Sequence, residues 1–183
     1  MAGQHAPHFS KPDQVEPVST EPAAFEALIR RHDPELRSLA LRIVGPSSLD
    51  DVLQDAYLQA YRAIPAFEPR NGSVRGWLFR IVYTTSIDSL RRRRPTVQLD
   101  EANERDVEIR TPEDAAVERG ELEAVLASLP IEDRAAIVLV DGLGFDYAAA
   151  AQILGIPAGT VGSRLHRGRA EIRRTLALGP KED

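Results

Sequence analysis

Apolar residues recur at three- and four-residue steps along most of the chain, which is the period of an amphipathic helix. The first run covers residues 21–94 and is broken by "GPSS" and by "PAFEPRNGS", so it predicts three helices. Ser47 or Ser48 is predicted to cap the second of them. The apolar stretch "AAIVLV" lies within helical spacing and lacks hairpin turn residues, so no strand is predicted.

A second run, from Pro112 to Leu178, predicts four more helices. They are "PEDAAVERGELEAVLASL", "IEDRAAIVLVDGL", "FDYAAAAQILG" and "PAGTVGSRLHRGRAEIRRTLAL". Asp146 is placed to cap the third, and Pro157 suits the first turn of the fourth. On the fourth helix, a stripe of residues at three- and four-residue steps is predicted to face a core: Val161, Leu165, Gly168, Ile172 and Leu176.

The segments outside these runs have a different composition. Residues 1–20 hold scattered prolines and no periodic pattern, so we predict a disordered tail; the alternative is an ordered arm that docks on a partner. Residues 96–113 are predicted to be a flexible acidic linker, since Thr96 to Glu121 holds nine acids against three arginines, a net charge of −6. The predicted fold class is therefore all-α, with two small helical domains over residues 21–95 and 114–178.

Composition excludes several classes of function. The chain has no cysteine, which excludes disulfides and thiolate metal sites and fits a reducing compartment. Its four histidines are scattered, and it has no glycine-rich phosphate loop and no nucleophile elbow, so we predict no enzyme activity, no metal site and no cofactor. Without a signal pattern or a long apolar run, the predicted location is cytoplasmic, with no membrane insertion.

The fourth helix of the second run is strongly basic in a chain of net charge −5. Residues 164–174 hold five arginines and one acid, a net charge of +4. A short helix, a turn at Gly155 and a helix with a basic outer face form the helix-turn-helix pattern, whose second helix enters the major groove. The alternative is a solvated amphipathic helix with surface arginines; the local charge favours DNA.

The motifs of both runs resemble those of extracytoplasmic-function (group IV) sigma factors of bacterial RNA polymerase. "DGLGFDYAAAAQILGIPAGTVGSRLHRGRAEIRRTL" is similar to their promoter-reading domain. "LDDVLQDAYLQAYRAI" resembles their polymerase-docking helix, and "GWLFRIVYTTSIDSLRRRR" resembles their promoter-melting helix. The resemblance covers roughly Phe25 to Leu176, with the motifs in the family's order.

The resemblance implies three sets of site residues. Polymerase binding is assigned to Asp51, Gln54 and Asp55. Recognition of the upstream promoter element is assigned to Thr160, Ser163, Arg164, His166, Arg167, Arg169 and Arg173. Downstream recognition and melting are assigned to Phe67, Asn71, Arg80, Thr84, Arg91, Arg92 and Arg93, with Trp77 as a core anchor more than a stacking platform. Arg167 is a candidate for paired hydrogen bonds to guanine, while His166 contacts either a base or a phosphate.

The sequence departs from the family pattern at a few positions. Gly162 replaces a Lys or Arg at the front of the reading helix, Ala148 and Ala149 replace paired glutamates, and Thr84 stands where many members carry Asn. Each departure bears on promoter specificity and leaves the class unchanged.

The resemblance also implies partners: core RNA polymerase, promoter DNA that is double-stranded upstream and single-stranded where melted, and an anti-sigma factor. It adds a second interpretation of the linker, which in the family threads toward the active-site cleft of the polymerase. Two other functions stay open on the residues alone. They are a stand-alone helix-turn-helix regulator, and a sigma-like module that sequesters an anti-sigma factor.

Overall fold

The computed structural model describes residues 21–68, 72–93 and 121–178, which form seven α-helices and no strand. This confirms the predicted all-α class. The helices are α1 (Pro22–Val44), α2 (Leu49–Ala63), α3 (Val74–Arg93), α4 (Glu121–Ser128), α5 (Ile131–Ile137), α6 (Tyr147–Leu154) and α7 (Ala158–Leu178). Short 3-10 turns follow α1 and α2, and a π-helical turn, Val138–Gly142, follows α5. The tail of residues 1–20 and the predicted linker, residues 96–113, lie outside the described residues.

The first half of the fold is a bundle of α1, α2 and α3. Its core is formed by large apolar side chains that are at most 1% exposed, among them Leu36, Leu53, Leu78 and Phe79. These residues recur at helical spacing on one face of each helix, so their packing buries the apolar stripe that the sequence predicts.

The N-terminus of α2 forms without the predicted serine cap. Ser48 occupies the N-cap position, but its side chain makes no capping hydrogen bond, so that prediction was wrong. The reason is its backbone, which is near-helical (φ −119°, ψ −2°) where a capping side chain needs an extended conformation. Asp50 and Asp51 lie in the first turn and interact favourably with its positive end.

The second half contains α4 to α7, and its local signals are formed largely as predicted. The Asp146 carboxylate accepts a hydrogen bond from the Ala149 backbone N–H at 2.7 Å, which confirms it as the cap of α6. On α7, Val161, Leu165 and Gly168 are buried. Leu176 is 46% exposed, which contradicts its predicted core position. The neighbours α5 and α6 have 7 and 8 residues whereas α7 has 21, so the last turns of α7 extend past them.

The two halves pack against each other around an aromatic pair. The rings of Phe79 on α3 and Phe145 before α6 meet edge to face, with centroids 4.9 Å apart. Arg75 places its guanidinium carbon 4.0 Å from the centre of the Phe145 ring and donates to the Leu143 carbonyl at 3.0 Å. Its Nε also donates to Glu35 at 3.0 Å, so one arginine joins α1, α3 and the loop before α6.

A second connection between the halves is a buried arginine. Arg134 on α5 is 3% exposed and donates to the carbonyl oxygens of Arg42, Ala127 and Leu129 at 2.7, 2.5 and 2.8 Å. Arg42 lies in the last turn of α1 and Ala127 in the last turn of α4, where carbonyl groups lack helical partners and carry partial negative charge. The guanidinium therefore satisfies the ends of two helices at once.

Replacing this arginine by an apolar side chain of similar length should destabilise the protein. We expect Arg134→Met to lower the free energy of unfolding by about 2–4 kcal/mol, because three buried or partly buried carbonyl groups lose their charged donor. Urea denaturation followed by circular dichroism measures the change. The exposed Arg62→Met is the matched control and should change stability by less than about 0.5 kcal/mol. Equal effects of the two substitutions would show that the buried contacts contribute nothing.

Candidate nucleic-acid interface

Helices α6 and α7 and the turn between them form the helix-turn-helix. Gly155 ends α6 in the left-handed conformation, at φ 68°, which a glycine adopts without strain. The Ile156 N–H then bonds back to the Ala151 carbonyl at 3.1 Å, and Thr160 N–H bonds to the Pro157 carbonyl at 2.9 Å to start α7. The turn is thereby closed by backbone bonds, and α7 leaves it in a fixed direction.

One side of α7 packs tightly on α5 at a glycine. A Cβ atom added at Gly168 would lie 2.4 Å from Cδ1 of Ile137 and 3.7 Å from Cβ of Asp133. Such a 2.4 Å distance is well inside van der Waals contact, so the end of the Ile137 side chain fills the space that a side chain at position 168 would need. This contact determines which face of α7 turns to solvent.

The structure brings the predicted upstream set together on α7, with Ser163, His166, Arg167 and Arg173 exposed. The Ser163 hydroxyl donates to the Thr160 carbonyl at 2.9 Å, so it offers acceptor lone pairs outward. His166 and Ser163 lie three residues apart on one face. The face that the sequence predicts for reading bases is thus open to solvent.

Two arginines of this set are held by acidic side chains that the sequence analysis did not identify. Arg167 pairs with Asp133 of α5 through Nε–Oδ2 and Nη2–Oδ1, at 3.2 and 2.9 Å. Arg169 pairs in the same two-bond fashion with Asp141, at 2.9 and 2.6 Å, and this hydrogen bonding raises the pKa of its guanidinium. Asp133 lies on α5 and Asp141 in the turn that follows α5, so both acids are outside the helix-turn-helix. The two pairs are therefore visible only in the folded structure.

Arg164 lies against the first half of the molecule. It is half-buried beside Tyr83 of α3. Burial raises the pKa of the Tyr83 phenol, and the neighbouring Arg164 cation opposes that shift. A residue predicted to contact the upstream element therefore contacts the predicted melting helix in this arrangement.

Two of the predicted melting residues line a cavity of about 440 Å³ between the halves. Phe67, Trp77 and Arg80 line it from the first half, and α6 closes it with Gln152 and Ile153. Phe67 and Trp77 rings lie 5.2 Å apart, so Trp77 is packed as an anchor against its neighbour. Arg80 donates to the Gln152 carbonyl. The helix-turn-helix thus covers a cavity that two of the predicted melting residues line.

The other predicted melting residues lie along α3 or outside the described residues. Thr84 is exposed, but its hydroxyl bonds to the helix carbonyls of Arg80 and Ile81, both at 3.0 Å. The basic run at the end of α3 is exposed: Arg91, Arg92 and Arg93. Asn71 lies outside the described residues.

The predicted polymerase-binding residues form an exposed patch on α2. Asp51, Gln54 and Asp55 all face solvent at three- and four-residue steps. Arg92 on α3 approaches Asp55 with a separation of 3.9 Å between charged atoms, and both side chains are more than half exposed. Such a long exposed pair contributes little, so the patch remains accessible.

Two family models match the chain, one in each half. Sigma-70 region 2 matches residues 28–96, and Sigma-70, region 4 matches residues 119–172. Among the described helices, none is long and apolar enough to span a membrane.

Named relatives match over most of their length. The ECF RNA polymerase sigma factor SigM of Mycobacterium tuberculosis is 39% identical over 87% of this chain and 80% of its own length. SigE of Mycolicibacterium smegmatis is 34% identical over 97% of this chain and 77% of its own length. The sigma-E factor of Escherichia coli is 32% identical over 81% of this chain and 84% of its own length.

Two solved structures share the fold. CnrH, in complex with the cytosolic domain of CnrY, is 28% identical, with a TM-score of 0.66 over 87% of this chain and 91% of that one. The sigma factor RpoE of Bartonella quintana, in complex with the anti-sigma factor NepR, is 23% identical, with a TM-score of 0.65 over 85% and 98%.

Two glycines of α7 should respond oppositely to alanine. Gly168→Ala forces a methyl group against the buried Ile137, and we expect a loss of about 1–2 kcal/mol in stability. At Gly162 an added Cβ meets only Tyr147 at 3.8 Å, an ordinary contact, so Gly162→Ala should stabilise the helix by about 0.5–1 kcal/mol. Urea midpoints of both variants measure this; a stabilised Gly168→Ala would contradict the tight approach of α5.

Proposed function

The chain belongs to the extracytoplasmic-function family of RNA polymerase sigma factors, and we propose that its two halves divide promoter recognition between them. As an alternative sigma factor, it binds core RNA polymerase and promoter DNA. In our proposal α7 reads the upstream element, α3 with its preceding loop handles the melted strand, and α2 docks on polymerase. The polymerase supplies the catalysis, so the sigma factor itself is not an enzyme. Its place of action is the cytoplasm, where the polymerase transcribes the chromosome.

The observation that carries the upstream assignment is the exposed polar face of α7 behind a rigid turn. A helix presented in this way enters the major groove, its outward side chains meet base edges, and flanking arginines hold phosphates. Ser163, His166 and Arg167 occupy the centre of that face. Arg173 is exposed near the end of the helix and suits a phosphate contact.

The downstream assignment rests on the cavity beside Phe67, Trp77 and Arg80. An extruded base needs an apolar pocket with a nearby cation, because unstacking costs a few kcal/mol that stacking and charge contacts offset. Since Gln152 and Ile153 of α6 cover this pocket, we propose that the halves separate when the promoter binds. The contacts that must break include the bond from Arg80 to the Gln152 carbonyl.

An anti-sigma factor is a further proposed partner. The RpoE and CnrH structures, which share this fold, each contain a bound protein partner, named as an anti-sigma factor in the case of RpoE. We propose that an anti-sigma factor binds this chain too. A stand-alone regulator would leave the exposed patch on α2 unexplained, and a DNA-independent mimic would leave the reading face of α7 unexplained.

The polymerase-docking assignment can be tested by reversing the charge of the patch. Asp51→Arg combined with Gln54→Ala should abolish most binding to core polymerase, because both side chains face solvent and would meet the docking surface. Pull-down with core enzyme measures binding, and circular dichroism confirms the fold. Glu26→Arg, an exposed reversal on α1, is the matched control. Undiminished binding by the double variant would remove the assignment.

The upstream assignment predicts different effects for two arginines. Arg167→Ala should cost about 1–3 kcal/mol and relax the preference at one upstream base pair. Arg173→Ala should weaken binding to all sequences alike and reduce the salt dependence by about one unit of slope.

Both variants are measured as holoenzyme on a promoter and on single-base variants, at several salt concentrations. Urea midpoints are recorded in parallel, because Arg167→Ala also removes the partner of Asp133. If Arg167→Ala weakens every promoter variant equally, the residue grips the backbone and reads no base. If neither substitution changes promoter binding, α7 is a solvated face.

A further inference from the structure

The reading helix receives a carboxylate from a helix that is not part of the helix-turn-helix. We propose that Asp133 on α5 is a positioning residue for promoter recognition, which sets the orientation of Arg167 and with it the base preference of α7. This inference rests on the proposed function, in which Arg167 contacts a base. Asp133 itself need not touch DNA.

The pairing uses one defined edge of the guanidinium. Oδ2 of Asp133 accepts from Nε at 3.2 Å, and Oδ1 accepts from Nη2 at 2.9 Å. A guanidinium is planar and carries five N–H groups, so a carboxylate that binds Nε and Nη2 leaves the adjoining edge, formed by the two terminal nitrogens, directed about 120° away within that plane. That outer edge has the spacing of two parallel donors that guanine O6 and N7 accept.

The two side chains of the pair differ strongly in their exposure to solvent. The Asp133 side chain is 7% exposed, whereas the Arg167 side chain is 56% exposed. The carboxylate is therefore held by the core of the fold, while the head of the arginine stands at the surface. An arginine without such a partner distributes over many rotamers, and binding must then select one of them at an entropic cost.

The close approach of α5 and α7 makes this pairing possible. Cβ of Asp133 lies 3.7 Å from where a Cβ of residue 168 would stand. At that separation the short, buried side chain of Asp133 can bond to the exposed guanidinium of Arg167. Asp133 therefore lies against α7 at an ordinary contact distance from position 168, which is one residue from Arg167 along the chain.

The ion pair between Arg169 of α7 and Asp141 has no such difference in exposure. The side chains of Asp141 and Arg169 are 38% and 41% exposed, so water reaches both ends. Exposed ion pairs hold a side chain weakly and are screened by salt. Asp133 is the acid whose burial suits a positioning role.

A positioning role for Asp133 affects the base specificity of α7 and leaves its general affinity for DNA in place. Asp133 places a negative charge near the DNA surface, so its removal cannot reduce the general attraction of α7 to phosphate. Loss of the carboxylate should therefore lower base discrimination and leave binding to mismatched promoters unchanged or slightly stronger. A residue that merely supports the fold would weaken all promoters alike.

The test uses Asp133→Asn, which keeps the size of the side chain but cannot accept from both Nε and Nη2. Holoenzyme binding is measured on the promoter and on variants at each upstream base pair. We expect the preference at the base pair read by Arg167 to fall about tenfold, the share that one paired arginine contact contributes. Glu171→Gln is the matched control, because it removes one acid from α7 that pairs with Arg174, outside the reading face. It should keep the preference.

Two further variants separate the possible outcomes. Asp133→Ser, smaller and uncharged, should reproduce Asp133→Asn, and it replaces that variant if circular dichroism shows misfolding. In an Arg167→Ala background, Asp133→Asn should cause no further loss of preference, as expected for residues that act through one contact.

Two results would overturn the inference while the proposed function stands. In the first, Arg167→Ala relaxes the preference and Asp133→Asn does not. In the second, Asp133→Asn lowers the urea midpoint and weakens every promoter variant by the same factor. If Arg167→Ala leaves the preference intact, the base contact proposed for Arg167 fails, and the positioning role of Asp133 fails with it.

Discussion

The first turn of α5 determines how the rest of the molecule is arranged, because two adjacent side chains there point to opposite partners. Arg134 reaches the carbonyl ends of α1 and α4, and Asp133 reaches Arg167 on α7. A buried guanidinium is stable only where acceptors surround it, so its position constrains both helix ends. The placement of α5 then sets where α7 lies and which of its side chains face solvent.

The same arrangement gives protein partners to several of the arginines that are proposed to contact the promoter. Arg80 bonds to α6, Arg164 lies beside Tyr83, and Arg167 pairs with Asp133. In the proposed function, DNA would replace the contacts of Arg80 and Arg164, whereas the pair with Asp133 would persist on the DNA. The contacts to be replaced lie near the surface, where ion pairs and single hydrogen bonds contribute little individually. The loss of these contacts is therefore a small part of the cost of separating the halves.

The apolar contacts between the halves raise the cost of that separation. Phe79 and Phe145 are buried against each other, and Arg75 stacks on the Phe145 ring. Separation exposes these surfaces to water, so a partner that covers them can compensate. Polymerase and promoter together offer two simultaneous attachments, which raises the effective concentration of the second contact once the first is made. A net charge of −5 limits binding of the free chain to DNA, which adds to this dependence on polymerase.

Local rules were enough to predict the helices, the cap at Asp146, the turn before α7 and the exposed faces of α2 and α7. Period and cap chemistry act within a few residues of chain, so the sequence contains that information directly. The cap at Ser48 failed because its backbone conformation is imposed by the preceding turn, and Leu176 is exposed because α5 and α6 are shorter than α7. The pairs Asp133–Arg167 and Asp141–Arg169 span 34 and 28 residues. The packing of α5 and of the turn that follows it on α7 decides which carboxylate meets which arginine, because an ion pair forms between neighbours in space and carries no signature along the chain.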